Sequence, residues 1–193
     1  MTRKKIQFIK NWEYNLKKDL KNFNYLPSFI PIEWQILLTN DGSFTRNASI
    51  INNSITTIQL CKQNSIYTSR KKIKNFISYH KYQTVNRITE RYVWLTQEKE
   101  KIGFAYFQYL SNRYKMSYLF HNNQPVGSSL IASETNIHRD LENVYLGYCQ
   151  ELESSFECIG PLWGRSYNIH VETDTLLIIH EIFSSKLPKI LIT

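Results

Sequence analysis

The chain has 193 residues, 42% of them hydrophobic and 14% aromatic, which is enough apolar surface for a buried core and excludes intrinsic disorder. Lys and Arg number 24 against 16 Asp and Glu, and the net charge of +8 favours anionic partners. Cys61, Cys149 and Cys158 lack CxxC spacing, which excludes a disulfide scaffold and a zinc ribbon and implies reduced thiols.

No apolar run approaches the ~18 residues of a membrane span, and no secretory signal follows the basic first residues. Usage leans toward Lys, Asn, Ile, Tyr and Phe, residues of AT-rich codons, which points to an organelle or a reduced genome. In chain order, Ile6, Ile9, Trp12, Leu16 and Leu20 recur at three- and four-residue spacing among seven basic residues. This predicts an amphipathic helix within a basic extension over 1–29. Pro27 and Pro31 break it, and a short helix is predicted over Glu33 to Thr39. Ser49 to Leu60, rich in Ile and Thr around Asn52-Asn53-Ser54, reads as a hairpin. Residues 61–86, with Arg70-Lys71-Lys72 and Lys74, read as a basic flap or connecting helix.

The second half reads as sheet. Arg87 to Thr96 alternates, Gln97 to Lys101 is a turn, and Phe104 to Leu110 follows at hairpin distance. Asn122 to Gly127 is a turn cluster. Thr135 to Tyr148 contains a further strand and Glu151 to Phe156 a helical turn, and the last two strands run over 164–171 and 175–183. Consecutive strands with short links imply an antiparallel sheet with helices on one side, an α+β domain.

Three residues break their local patterns. Glu181 shares a strand face with Leu177, Ile179 and Phe183, where an unpaired carboxylate would cost several kcal/mol. It is either a ligand-facing acid, a strand-end residue reaching solvent, or half of a structural ion pair. Arg91, alternating with Val93 and Leu95, is its natural partner, since a guanidinium fork matches a carboxylate. A solvent-facing Arg near Arg87 and Glu90 is the alternative. Arg165, with Tyr167 and Ile169 on its face, is a second cation or an exposed edge residue. No GxGxxG, Walker, HExxH or GxSxG motif occurs, and the five His lack metal-ligand spacing, so neither a metal nor a cofactor is expected. Residues 70–74 beside Phe76, Tyr79 and Tyr82 read as a solvated basic face, and a nucleic-acid partner is not expected.

Several blocks taken together resemble the chorismate lyase-like superfamily, most closely its small reading-frame family of red-algal plastids and cyanobacteria. They are Trp34-x-x-Leu37-Leu38, Asp41-Gly42-Ser43-Phe44-Thr45-Arg46, Arg91 to Leu95, Pro125 to Leu130, Leu152-Glu153-x-x-Phe156, Gly160 to Arg165 and His180 to Ser184. The likeness spans about residues 30–187 within a single domain over 1–193. It implies an α+β fold with an antiparallel sheet of about six strands and helical flaps over an internal cavity. It also implies a plastid stromal location (otherwise cytoplasmic).

The implied reaction removes pyruvate from chorismate and leaves 4-hydroxybenzoate, with no metal or cofactor. The alternative is a noncatalytic domain of the same fold that binds a small anionic aromatic or pre-aromatic acid. By resemblance Arg91 holds the ring carboxylate and Glu181 meets the ring hydroxyl. Phe44 and Val126 line the ligand, and Arg165 offers a second positive charge. The chain departs from the bacterial lyase in having Phe44 in place of Met, no Arg after Gly127, one Arg in Trp163-Gly164-Arg165-Ser166, and no Pro after Phe183.

Overall fold

A computed structural model describes residues 6–19, 26–40, 42–67, 87–110, 137–171 and 174–187. The calls at Val126, at residues 68–86 and at the 122–127 turn lie outside these residues. Seven strands form one antiparallel sheet: β1 (Ile9–Asn15), β2 (Thr56–Tyr67), β3 (Arg87–Gln97), β4 (Glu100–Leu110), β5 (His138–Tyr148), β6 (Leu162–Val171) and β7 (Asp174–Phe183), in the order β1-β5-β6-β7-β4-β3-β2. The helices are α1 (Leu16–Asp19), α2 (Ile32–Thr39), α3 (Phe44–Ile51) and α4 (Gln150–Phe156).

The seventh strand is β1, where the apolar spacing had predicted helix. Trp12, Tyr14 and Leu16 are shielded while Asn11 and Glu13 are exposed, a two-residue period, and the segment pairs with β5 from Ile9↔Tyr148 to Asn15↔Asn143. Tertiary pairing overrides the helical spacing, and only α1 is helical in the described part of the extension. The expected hairpin at 49–60 is instead the end of α3 followed by β2. The Ser43 hydroxyl accepts from Arg46 N at 3.4 Å and caps α3. The Gln97 side chain then ties the turn after α3 to the sheet, donating to the Ala48 and Ser54 carbonyls at 2.9 and 3.2 Å and accepting from Asn52.

Register sorts the side chains onto two faces. Val93, Ala105, Glu181, Arg165 and Val144 lie opposite one another across β3, β4, β7, β6 and β5. The next row on that face is Arg91, Phe107, Ile179, Tyr167 and Leu141. This inner face carries the larger core, covered by Trp34 and Leu38 of α2 and Phe44 and Ala48 of α3. The helices do not all gather on one side. The aromatic outer face (Trp94, Phe104, Tyr145, Ile182) recruits Leu152 and Phe156 of α4 into a second core.

Candidate functional site

Glu181 is the acid on the apolar inner face, 7% exposed, and its partner is Arg165 rather than Arg91. Arg165 stands directly opposite on β6, and its Nε donates to Glu181 Oε2 at 2.7 Å. β3 is one strand further away, beyond β4, and Arg91 sits one inner-face row along, opposite Phe107. The expected Arg91–Glu181 pair therefore does not form. Arg91 is buried, and its Nη1 reaches Gln63 Oε1 on β2 at 3.4 Å, on the side away from β7. Burial lowers its pKa, opposed by Tyr109.

Arg165 is fully buried and spans two layers. Its Nη1 donates to the Leu37 and Asn40 carbonyls at the end of α2, at 3.1 and 2.6 Å, where the helix dipole favours a cation. Burial on its own would lower the pKa of this guanidinium, but Glu181 and the neighbouring tyrosines outweigh it and hold the pKa above its ordinary value. The Tyr167 hydroxyl donates to Glu181 Oε1 at 3.0 Å, so both carboxylate oxygens are engaged. Burial and then the adjacent Glu181 charge push the Tyr167 phenol up, keeping it a neutral donor.

The pair is also held from behind. On the outer face the Tyr145 hydroxyl donates to the backbone carbonyls of Arg165 and Glu181 at 3.3 and 3.4 Å.

In front of Glu181 lies a hollow of about 40 Å³, lined by Phe44, Ala105, Phe107, Tyr167 and Ile179 among others, with Arg139 at its side. It holds a few waters at most and falls below the ~300 Å³ of a typical ligand pocket. Phe44, the N-terminal residue of α3, meets Phe183 at 4.7 Å between ring centroids and forms one wall of the hollow. Val126 lies outside the described residues.

Arg139 is the functional candidate that the sequence reading missed. It faces Ile169 on β6, lies over the Tyr167 ring at 4.8 Å, and donates from Nη1 to the Gly42 carbonyl just before α3. A register shift between Leu141 and Asn143 reverses the alternation of β5. Counting by twos inward from buried Val144 thus assigns Arg139 to the wrong face. Its alternation with Leu141 alone was the available signal. Among the described residues no group of three or more His, Cys, Asp or Glu could hold a metal.

Comparison with known proteins agrees with this architecture. The effector domain of PhnF from Mycobacterium smegmatis superposes with a TM-score of 0.58 at 10% identity, covering 77% of this chain and 92% of that one, a likeness of fold. "Uncharacterized protein ycf21" of Porphyra purpurea is 33% identical over 178 residues, 92% of this chain and 94% of that protein. Its namesake in Antithamnion sp. is 32% identical over 189 residues, 96% and 97% of the two chains. That of Cyanophora paradoxa is 31% identical over 152 residues, 78% and 76%. These relatives are ycf products of plastid genomes, which supports plastid encoding here, as the codon-type composition suggested. The profile of one family, described as "Chorismate pyruvate-lyase Rv2949c-like", matches residues 38–191, from the end of α2 through β7 and beyond, and the chain belongs to that family.

Proposed function

We propose that the protein is a chorismate pyruvate-lyase that releases pyruvate and 4-hydroxybenzoate. The observation that carries the reading is an acid, Glu181, and a cation, Arg139, fronting one interior hollow with otherwise largely aromatic and aliphatic walls. The reaction suits such a site. Chorismate already holds two ring double bonds and an enolpyruvyl leaving group, so losing the C4 proton and the C3 ether yields an aromatic ring. The protein must chiefly orient a dianion and keep water away. In this reading Arg91 receives the ring carboxylate, Glu181 meets the C4 hydroxyl, and Phe44 and Val126 bound the ring. Arg165 acts through Glu181, holding the carboxylate in place.

The test is conversion of chorismate by the purified protein, with 4-hydroxybenzoate followed by chromatography and pyruvate by a coupled dehydrogenase. Turnover by wild type that is lost in Glu181→Gln supports the lyase. No turnover where an authentic lyase works refutes it.

One observation favours a noncatalytic binder of a small aromatic acid. Both Glu181 oxygens already accept hydrogen bonds, from Arg165 and Tyr167, so the carboxylate is committed to protein donors. Calorimetric binding of 4-hydroxybenzoate without chorismate turnover would select this second reading.

A further inference from the structure

We propose that Arg139 binds the enolpyruvyl carboxylate of the substrate, giving the site its preference for a dianion over a monoanion. The inference rests on the lyase reading and adds a residue to it.

The inner face gathers Arg139, Tyr167 and Glu181 at one hollow. Arg139 lies over the Tyr167 ring at 4.8 Å, and the Tyr167 hydroxyl bonds Glu181 Oε1 at 3.0 Å. All three side chains line the same hollow. Arg91 on β3 is as many strands from Glu181 as Arg139 on β5, but it is not among the residues lining this hollow, and its Nη1 is directed to Gln63 on the outer strand. The substrate has a matching order. The C4 hydroxyl and the C3 enolpyruvyl ether are adjacent on the ring, while the C1 carboxylate lies across it. If Glu181 meets C4, the cation that shares its hollow takes the enolpyruvyl carboxylate, and the one outside that lining takes C1.

The same placement gives Arg139 a role in the chemical step. The C4 proton passes to a base, its bonding electrons form the C3=C4 bond, and the C3–O bond breaks. The ether oxygen keeps that electron pair as enolpyruvate, which is protonated at its methylene carbon to become pyruvate. Negative charge grows on the oxygen next to the carboxylate that Arg139 holds, so its attraction is stronger in the transition state than in the bound substrate. The product 4-hydroxybenzoate has no such carboxylate and does not need Arg139.

The experiment compares wild type, Arg139→Gln and Arg139→Lys by chorismate turnover and by calorimetry with chorismate and with 4-hydroxybenzoate, thermal melts serving as the folding control. Arg139→Gln is expected to lose about 100-fold in kcat/KM, the scale for one preorganised electrostatic group. Its affinity for 4-hydroxybenzoate should stay within about 3-fold of wild type, and Arg139→Lys should recover part of the turnover. Turnover within about 3-fold of wild type in Arg139→Gln, or an equal loss for both ligands, overturns the assignment. If Arg139→Gln does not fold, the Lys variant decides. A chorismate-selective loss there supports the inference, and wild-type kinetics refute it. If wild type binds chorismate without turning it over, the lyase reading fails by itself and the ratio of the two affinities tests Arg139. If wild type binds neither ligand, both readings fall.

Discussion

The ring of Tyr145 rests directly on Gly164. The two residues face each other across β5 and β6, and a Cβ at Gly164 would stand 2.3 Å from Tyr145 Cε2 and 2.8 Å from the Glu181 carbonyl oxygen. The missing side chain is what lets the Tyr145 hydroxyl reach the backbone of Arg165 and Glu181. Gly164→Ala should therefore displace the ring and destabilise the fold by about 1–3 kcal/mol, the usual cost of overpacking. Urea denaturation measures this. Tyr145→Phe, which keeps the ring and loses only the hydroxyl, should cost about 1 kcal/mol.

Arg165 and Glu181 provide a sharper contrast. Arg165→Ala leaves a carboxylate 7% exposed with no cation beside it, and should destabilise the protein by about 3–5 kcal/mol. The double variant Arg165→Met, Glu181→Leu removes both charges and should be far closer to wild type in stability while having no turnover. Denaturant midpoints for the two proteins check the pair. A double variant as unstable as the single one would contradict the account.

Tyr167→Phe removes one donor from Glu181 but leaves the ring under Arg139. A hydrogen bond to a charged group contributes about 1.5–3 kcal/mol. In the lyase reading, chorismate turnover should fall by about 10-fold or more as the carboxylate loses its fixed orientation. The affinity for 4-hydroxybenzoate should change less, and steady-state kinetics beside calorimetry separate the two effects.

The pH dependence of stability should carry a contribution from His180. Burial, with Lys10 adding to it, lowers the pKa of this ring below 6.5, and it stacks on Tyr106 at 5.8 Å. The unfolded chain thus binds more protons than the folded one just below pH 6.5, so stability rises with pH through that window and is lost on acidification. Well above 6.5 His180 is neutral in both states and the slope fades. His180→Gln should flatten this part of the profile in denaturation series from about pH 5 to 7.

Much of this was legible in the residues. Alternation in Arg87 to Leu110 and in the last two strands marked β3, β4, β6 and β7, because strands covered on both faces still show their buried charges as anomalies. Glu181 and Arg165 stood out for that reason and proved to be each other's partner. The expected pairing of Glu181 with Arg91 failed because strand order is a long-range property: β6 lies beside β7, while β4 separates β3 from it. β1 was misread because Ile9, Trp12 and Leu16 fall at helical spacing, and only pairing with the β5 edge overrides it. Arg139 was hidden by one extra residue in β5, which local periodicity cannot reveal.

Arg165 binds the last turn of α2 with one nitrogen and the Glu181 carboxylate with another. The helical cover and the buried acid thus hang from the same pin. A substitution that shifts the corner between α2 and α3 will be felt at the acid, however far its own side chain lies from any ligand.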